Sequence, residues 1–338
     1  MRITLWLPIM LSAGLSSSLA ATPGAGQNTI VLTVGPAGQY QSVSAAATYA
    51  DQHSNDKEYY DIQVTPGTYI NDFPQVTRPM TIEAMPGGPV VLKATEALPN
   101  EKGIILTTAS LTVNGLTFTG AEIANSLGGN GAGIRDQNTG PATVIVENST
   151  FTGNQEGMLT GFDANEAILV INSKFINNGN PDENYFQHAL YVNYAGSLTV
   201  SNSLFCGQLI GHDIKSRAAA TIVENNQLYD GAGNAALGCN AGSTSFAIDT
   251  PNGGAVTISG NQIVQGATTQ NQRMVDYGEE GLRYSNNNFL LSNNSFSNSG
   301  VSDAIAIYDP NCVTAQLTNN TFVGIATIVS PPNCAVFK

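Results

Sequence analysis

The sequence predicts an all-β solenoid in which successive coils stack into a rod. A short apolar unit recurs through most of the chain, each apolar run is followed by Asn, Ser or Gly, and the spacing between copies varies from 23 to 35 residues. A fixed corner with insertions of variable length is typical of a solenoid, because each coil must stack on the last while its loops are free. A sandwich of hairpins is disfavoured, since short Asn-Gly and Asp-Gly turns are few.

The repeat unit is an alternating apolar run, then Asn or Ser, one variable residue and a final apolar residue. Its eight copies end at Phe118, Phe151, Phe175, Phe205, Leu228, Ile263, Phe296 and Phe322. A row of Asn occupies the corner, namely Asn148, Asn172, Asn202, Asn225, Asn293 and Asn319, and Gly260 interrupts it. Each amide can donate to the next coil, so this row is expected to form a ladder that satisfies buried turn carbonyls.

The first twenty residues have the composition of a secretory signal. Arg2 precedes an apolar run, and small residues occupy Ser18 and Ala20, so we expect cleavage near Ala20. The run is too short and too rich in Ser and Gly for a membrane anchor, and no later stretch is long and apolar enough to span a bilayer. We therefore expect a secreted or periplasmic protein, with residues 27–338 as one β-helix domain.

Net charge and cysteine content limit the partners and the cellular compartment that we expect. The formal net charge is −13 and only 11% of residues are charged. Nucleic acid is not an expected partner, because no basic stripe is present to neutralise phosphates. The four cysteines fit an oxidising compartment, and their spacing contains no zinc-binding pattern. Three pairings are open, and we favour Cys206–Cys239 and Cys312–Cys334 because each pair is close in sequence and lies in adjacent repeats.

An N-terminal cap is predicted over about residues 27–70. Residues 30–34 have a strand pattern, and residues 40–52 have the pattern of an amphipathic helix with Ser42 as its cap. A further strand ends at Val64, and the turn sequence Pro66-Gly67-Thr68-Tyr69 follows. This order resembles the opening of right-handed parallel β-helix proteins of the pectin-lyase-like superfamily. The resemblance implies a single-stranded right-handed parallel β-helix with an N-terminal capping helix.

A second strand in each coil carries the most polar and aromatic surface. With Leu159, Leu190, Ile214, Ile248, Val275 and Ile307 pointing inward, one outward column contains Thr160, Tyr191, Lys215, Asp249, Asp276 and Tyr308. The column two residues later contains Phe162, Asn193, Arg217, Pro251 and Gly278. Insertions at residues 177–187, 229–245 and 278–288 are expected to rim this face and form a groove. A register error of one residue would reverse the faces of a strand.

This face carries a candidate set of acid–base groups. Lys215 and Arg217 are expected between Tyr191 and Asp249, and His188 and His212 are expected to stack beside the same column, because their spacing of 24 residues matches a short coil. Histidines that bond turn carbonyls and a Lys215–Asp249 surface pair worth under about 1 kcal/mol are the structural alternatives.

These residue types suit chemistry on a uronate polymer. β-Elimination needs a cation to neutralise the carboxylate, a base to remove the α-proton and an acid to protonate the leaving oxygen. Arg217 suits the first task, Lys215 or His212 the second, and Tyr191 or His188 the third. Epimerisation would need much the same set. Asn193, Asp213, Asp249, Asp276 and Tyr308 are predicted to bind substrate.

Hydrolysis is a less favoured alternative. Asp249 and Asp276 are expected on adjacent coils about 5 Å apart, a separation that suits a retaining glycosidase. A solvated acidic row or a Ca²⁺ ligand set would look the same in sequence, so Ca²⁺ is the one cofactor we consider. Hydrolysis is less favoured than elimination because Lys215 is expected beside Asp249, one of the two carboxylates.

The leading prediction is a secreted polysaccharide-active protein, a lyase or epimerase acting on a uronate-containing glycan. A non-catalytic glycan-binding or surface-scaffold β-helix is the alternative, in which Phe162, Tyr191, Tyr277 and Tyr308 would act by stacking. The Asp motifs of pectinesterases and the Asp-Pro-His signature of epimerases are absent, so no family residue roles are transferred. The glycine-rich residues 128–133 are interpreted as a flexible turn. The sequence does not determine the oligomeric state.

Overall fold

Three parallel β-sheets run side by side along the chain. The structure is a computed structural model that describes residues 23, 26–53, 55, 57–180 and 186–338. Strands of these residues are numbered β1–β32 in chain order. The predicted signal segment, residues 1–20, lies outside the described residues.

Each sheet takes one strand from nearly every coil. Sheet 1 contains Asn28–Val34 (β1), Glu58–Val64 (β2), Met80–Ala84 (β5), Leu111–Asn114 (β8), Thr143–Glu147 (β11), Ala167–Ile171 (β14), Ser197–Ser201 (β17), Ala220–Glu224 (β20), Ala255–Ser259 (β23), Asn288–Ser292 (β26), Ala315–Thr318 (β29) and Ala335–Phe337 (β32). Sheet 2 contains Gly67–Ile70 (β3), Val90–Lys93 (β6), Leu116–Thr119 (β9), Thr150–Thr152 (β12), Lys174–Ile176 (β15), Leu204–Cys206 (β18), Gln227–Asp230 (β21), Gln262–Gln265 (β24), Ser295–Asn298 (β27) and Thr321–Val323 (β30). Sheet 3 contains Gln75–Val76 (β4), Gly103–Thr107 (β7), Ala132–Asp136 (β10), Glu156–Leu159 (β13), Leu190–Val192 (β16), Ile214–Ser216 (β19), Ile248–Thr250 (β22), Arg273–Tyr277 (β25), Ile305–Tyr308 (β28) and Thr327–Ser330 (β31).

The order within each sheet follows the order of the coils. Strands pair in parallel with the equivalent strands of the preceding and following coils. Each coil therefore contributes a strand to sheet 1, then to sheet 2 and then to sheet 3, before the next coil begins. This is a single-stranded right-handed parallel β-helix, and the predicted fold class is confirmed. Right-handed connection between parallel strands is the rule for such crossovers.

The residue that ends each repeat unit stacks inside the coil. Phe118, Phe151, Phe175 and Phe205 form a continuous stack with ring centroids 4.9, 4.6 and 4.7 Å apart. All four side chains are fully buried. Stacked rings of this kind stabilise a fold beyond the burial of their area. The repeat seen in the sequence is therefore the core of the solenoid.

A helix covers the N-terminal end of the rod. It spans Val43–His53 (α1), and its buried residues Val43, Ala46, Ala47 and Ala50 face the first coils. Short 3₁₀ turns occur at Asn125–Leu127 and Ala235–Leu237. The observed helix begins three residues later than the predicted range because Ser42 is its cap. The Ser42 hydroxyl oxygen accepts the N–H of Ala45 at 3.2 Å.

The corner between sheets 1 and 2 explains the row of Asn residues. Asn148, Asn172, Asn202, Asn225, Asn293 and Asn319 all have φ between 47° and 57°, and Gly260 has φ 67°. Asn and Gly tolerate this left-handed conformation better than other residues. Their side chains are exposed, and bonds along the row join Asn148 to Asn114 and Asn172 to Asn148. The prediction that this row forms the buried ladder is therefore wrong.

The buried ladder lies one residue later. Its members are Ser149, Ser173, Ser203, Asn226, Asn261, Asn294 and Asn320. Each side-chain oxygen accepts a backbone N–H of the preceding coil at 2.8 to 3.2 Å. The ladder satisfies corner N–H groups that no strand can pair.

Two disulfides pair the cysteines as predicted. Cys206 is bonded to Cys239 and Cys312 to Cys334, with Cα–Cα distances of 5.6 and 4.8 Å. The first ties the loop that follows β21 to sheet 2, and the second ties a loop after β28 to the last coil. Among the described residues, no helix has the length and apolar character needed to cross a membrane.

Candidate active site on sheet 3

Sheet 3 brings the predicted polar column together. Tyr191 pairs with Lys215, Lys215 with Asp249, and Asp249 with Asp276, each on the next strand of the sheet. Tyr308 follows Asp276 on β28. Neighbouring residues in such a column are about 4.8 Å apart along the rod. The predicted register is confirmed for these five coils.

The register of the first coil is wrong by one residue. Met158, not Leu159, faces the core and pairs with Leu190, so Leu159 pairs with Tyr191 and takes the column position predicted for Thr160. The Thr160 hydroxyl instead accepts the backbone N–H of Asn193 at 2.9 Å. The segment offers apolar side chains at two adjacent positions, and alternation does not decide between them.

Lys215 lies at the centre of a charged cluster. Its ammonium nitrogen is 3.1 Å from Asp249 Oδ2 and 3.6 Å from Glu280 Oε1. It also lies 5.6 Å from the ring centroid of Tyr191. The Lys215 side chain is 11% exposed, so only a small part of it reaches the surface. The predicted Lys215–Asp249 pair is thus a nearly buried contact within a larger network.

Arg217 is engaged on several sides. Its Nε–H donates to the Tyr191 hydroxyl oxygen at 2.8 Å, and its two terminal nitrogens bind the carboxylate of Glu280 at 2.5 and 2.8 Å. Nη1 also donates to the side-chain oxygen of Asn252. The hydrogen bonds to Glu280 and Tyr191 outweigh desolvation and raise the pKa of Arg217. Most of its donors are therefore occupied, including the fork predicted to hold a substrate carboxylate.

The two histidines stack as predicted, and both are buried. Their ring centroids are 4.7 Å apart, and His188 Nδ1 accepts the backbone N–H of His212 at 3.0 Å. His188 and His212 are only 4% and 7% exposed. Burial, with the charges of Lys215 and Arg217, lowers the pKa of both well below the usual value, so both rings are neutral. His212 Nε2 lies 3.3 Å from Asp249 Oδ2, beside the Lys215 contact.

The predicted substrate-binding carboxylates are buried. Asp249 is 3% exposed and Asp276 is fully buried. Burial, followed by the charge of Asp249, raises the pKa of Asp276 to about 9. Burial also raises the pKa of Asp249, against the lowering effect of Lys215. Asp276 is therefore protonated at neutral pH. Because both carboxyls are buried, a glycosidic bond cannot lie between them.

Asp213 points into the rod rather than toward the groove. It is fully buried, and neither carboxyl oxygen has a hydrogen-bond partner among the described residues. Burial and the neighbouring Asp230 raise its pKa well above the usual value, so the group is protonated. The predicted substrate contact is inconsistent with this placement. The chain turns inward just before β19, which the alternation argument did not anticipate.

Asn193 and Tyr308 are half-buried at the two sides of the column. One face of the Tyr308 ring is covered by Arg273, whose guanidinium carbon lies 3.5 Å from the ring centroid. Arg273 is paired with Glu279 at 3.1 Å. A substrate role for Asn193 and Tyr308 stays a prediction.

Several residues of the site were not found from the sequence. Glu280 and Arg283 belong to the loop between β25 and β26, and Tyr194 and Asn252 follow strands of sheet 3. Arg283 lies 4.0 Å from the ring centroid of Tyr194, and Phe162 packs against the same ring at 5.5 Å. The periodic pattern ends where these loops begin, so only the three-dimensional structure places them.

The polar column also continues below Tyr191. Arg135 pairs with Leu159 in sheet 3, and part of the glycine-rich segment interpreted as a flexible turn is strand β10. Burial lowers the pKa of Arg135, and burial raises the pKa of Glu156 well above its usual value. Glu156 accepts the backbone N–H of His188 at 2.9 Å. Aligning the inward Ile134 with Met158 would have found this coil.

Metal binding is not supported by a ligand cluster. Over the described ranges, no group of three or more His, Cys, Asp and Glu side chains is arranged to hold a metal ion. The consideration of Ca²⁺ stays an untested expectation.

Comparisons with known proteins identify the fold. Neither a protein family nor a curated protein sequence matches the chain. An alginate lyase from Paenibacillus sp. matches with a TM-score of 0.54 and 15% identity, over 89% of this chain and 97% of that chain. The A-module of a mannuronan C-5 epimerase from Azotobacter vinelandii matches with a TM-score of 0.46 and 11% identity, over 85% and 92%. A pectin methylesterase from Aspergillus niger matches with a TM-score of 0.36 and 12% identity, over 94% and 91%.

These three structural neighbours are polysaccharide-active enzymes. At this identity the first match shows a shared fold, the parallel β-helix, and the other two superpose too loosely to support an argument. A shared fold does not transfer a reaction.

Proposed function

We propose that this protein is an exported enzyme that acts on a uronate-containing polysaccharide, as a lyase or an epimerase, at the face formed by Tyr191, Lys215 and Arg217. The observation that carries the proposal is the pairing of Tyr191 with Lys215 on adjacent strands, with Arg217 donating to the Tyr191 oxygen at 2.8 Å. An amine and a phenol side by side on one accessible face are a base and an acid within reach of one sugar. The fold shared with an alginate lyase supports the substrate class.

In the proposed elimination, Lys215 removes the α-proton and Tyr191 protonates the leaving glycosidic oxygen. Lys215 acts as the base and takes the proton on the carbon next to the carboxylate. The electron pair forms a double bond and expels the glycosidic oxygen, which takes the hydroxyl proton of Tyr191. The Tyr191 oxygen accepts a hydrogen from Arg217, so its own hydrogen is free to point toward the substrate. Return of a proton to the opposite face of the same carbon would give epimerisation.

The substrate carboxylate would meet Arg217 in competition with Glu280. The Glu280 carboxylate already occupies the guanidinium fork and lies 3.6 Å from Lys215. Its side chain is 46% exposed, so a polymer carboxylate can approach from the same side. The Arg217 guanidinium on the reacting carboxylate stabilises the charge that develops when the α-proton leaves.

The buried groups act as supports in this proposal. His212 and Lys215 both contact Asp249, and His188 holds the backbone of His212. His188 Nδ1 accepts a backbone N–H and His212 Nε2 lies against Asp249, so the acid–base roles are assigned to Lys215 and Tyr191. Hydrolysis is not proposed, because Asp249 and Asp276 are buried.

Export is part of the proposal. Two disulfides are typical of proteins that mature in an oxidising compartment. The predicted signal at residues 1–20 would direct the chain there.

Incubation with pectate, alginate and glycosaminoglycan panels tests the reaction. Absorbance of unsaturated uronate detects elimination, and NMR of the products detects epimerisation. Lys215→Ala and Tyr191→Phe are each expected to reduce turnover by roughly 10²- to 10⁴-fold. Lys174→Ala, an exposed lysine on sheet 2, is the matched control and should keep wild-type turnover.

A non-catalytic glycan-binding protein is the second candidate, favoured by the 68% exposed ring of Phe162. It predicts that the wild-type protein turns over no substrate on any panel and that Lys215→Ala leaves glycan affinity unchanged. That pair of results would overturn the enzymatic proposal.

A further inference from the structure

A second cluster lies beside the proposed catalytic face. Phe162 follows β13, Tyr194 follows β16, and their ring centroids are 5.5 Å apart. Arg283 lies over Tyr194 at 4.0 Å from the guanidinium carbon to the ring centroid. Tyr194 is half-buried, whereas Phe162 and Arg283 are exposed. The Phe162 ring is thus open to solvent, and Arg283 covers one face of the neighbouring Tyr194 ring.

The loop at residues 278–287 holds Arg283 in place. The Arg283 backbone N–H donates to the carbonyl of Asn252 at 3.0 Å, and the Tyr284 hydroxyl donates to the carbonyl of Arg217 at 2.5 Å. Asn252 Nδ2 donates to the carbonyl of Gly281 at 3.3 Å. The loop is therefore fastened to two lower coils, and the position of Arg283 is built into the fold.

Arg283 differs from the neighbouring cations in its charge partners. Lys215, Arg217 and Arg273 each contact a carboxylate. In the part of the chain that the structure describes, Arg283 has no such contact. A cation kept exposed and unpaired on a protein of net charge −13 has the right chemistry for an anionic ligand. A guanidinium also forks onto carboxylates with defined geometry.

The cluster lies close to the proposed catalytic groups. The guanidinium carbon of Arg217 is 5.9 Å from the ring centroid of Tyr191 and 5.8 Å from that of Tyr194. One arginine thus joins the two tyrosines, and a polymer bound at Tyr191 would extend directly over Tyr194.

We propose that Phe162, Tyr194 and Arg283 form a binding subsite for a second uronate residue of the same polymer, in which Phe162 stacks on the sugar, Tyr194 supports Arg283 and Arg283 pairs with the sugar carboxylate. The ligand class rests on the proposed function. The subsite binds the chain but takes no part in proton transfer, so it sets affinity and the direction in which the polymer lies.

Binding measurements on a catalytically disabled protein test the subsite separately from the reaction. In a Lys215→Ala background, Arg283→Gln is expected to weaken calorimetric binding of pectate or alginate oligomers roughly three- to fivefold, as for an exposed ion pair. Phe162→Ala should weaken it by a similar factor. Arg273→Gln is the matched control, because Arg273 also stacks on a tyrosine but is already paired with Glu279, and it should bind as the parent does.

The Arg283→Gln effect should shrink with added salt and vanish for oligomers whose carboxylates are esterified. In the otherwise wild-type enzyme, Arg283→Gln should raise KM for long oligomers and leave kcat unchanged. Equal binding by the Arg283→Gln and Arg273→Gln proteins would overturn the subsite. A binding loss without any turnover by the wild-type protein would leave the subsite standing and refute the proposed reaction.

Discussion

Glu280 occupies the position at which a substrate carboxylate would meet the cations. It binds both terminal nitrogens of Arg217 and approaches Lys215, while nearly half of its side chain is exposed. The hydrogen bonds from Arg217 hold the pKa of Glu280 below its usual value, so the competing charge is present at neutral pH.

Glu280→Gln therefore tests whether the Glu280 carboxylate competes with the substrate carboxylate for Arg217 and Lys215. The amide keeps the size of the side chain and removes its charge, so KM for a polyuronate should fall roughly fivefold, the equivalent of about 1 kcal/mol for one charge in a water-like medium. Steady-state kinetics on the preferred polymer measure it. Glu279→Gln makes the same charge change one residue away, opposite Arg273, and should have little effect. A fall in kcat at constant KM would show instead that Glu280 positions Arg217.

Two sequence features identified the site residues that were predicted correctly. Lys215 and Arg217 stand out because cations are scarce, and Tyr191 and Asp249 follow from strand alternation once Ile214 is placed inward. Glu280 and Arg283 were missed because both lie in a loop, where no periodicity fixes a position. The burial of Asp213, Asp249 and Asp276 was missed because residue alternation predicts which face of a strand a side chain lies on, but not whether other residues cover that face.

At the scale of the coil, two adjacent positions at each corner between sheets 1 and 2 have different structural roles. The first needs a left-handed backbone, and the second needs a side chain that can bond the preceding coil. Sequence alone could identify the corner, because Asn and Ser recur there, but it could not separate the two roles, since both positions favour the same residues. The register error at Met158 has a similar origin.

Asn261 and Asn225 provide a matched pair that separates the two roles. Asn261 is buried, its oxygen accepts the N–H of Asn226 at 2.9 Å, and its amide donates to the carbonyl of Val223 at 2.8 Å. Asn261→Ala leaves these groups unsatisfied and should lower the free energy of unfolding by about 2–4 kcal/mol. Asn225 is exposed with φ 57°, a conformation that Gly adopts without steric cost. Asn225→Gly should therefore change stability by no more than a few tenths of a kcal/mol.

Urea unfolding followed by circular dichroism measures both variants. Similar losses in the two proteins would contradict the assignment of the ladder to the second corner position.

At the scale of the whole molecule, the rod contains many protonated carboxyls. Burial raises the pKa of Glu166 and Asp276 to about 9, and it raises the pKa of Glu156, Asp213 and Asp230 well above the usual value. The stacking of coils causes this, because a side chain on one coil is covered by the coils on both sides. Stability must then depend on pH for the molecule as a unit.

The sign of that dependence follows from proton binding. In the unfolded chain these carboxyls titrate near pH 4, so the folded state binds more protons above about pH 4, and at Glu166 and Asp276 it does so up to about pH 9. Stability is therefore fullest below the unfolded pKa and is lost as the pH rises toward the folded pKa. The neutral histidines act in the opposite sense, because His188 and His212 gain protons on unfolding below about pH 6.5. Above that value only the carboxyl effect remains.

The thermal midpoint should consequently fall as the pH rises from 7 to 9, measured by calorimetry at constant ionic strength. Each proton that the folded state retains contributes about 1.4 kcal/mol per pH unit to the slope. Glu166→Gln removes one such site and should make the slope shallower, whereas Glu96→Gln, at an exposed position, should leave it unchanged. A midpoint that is constant or rises between pH 7 and 9 would mean that the buried carboxyls are ionised in the folded protein. The network around Lys215 would then carry more negative charge than the proposed mechanism assumes.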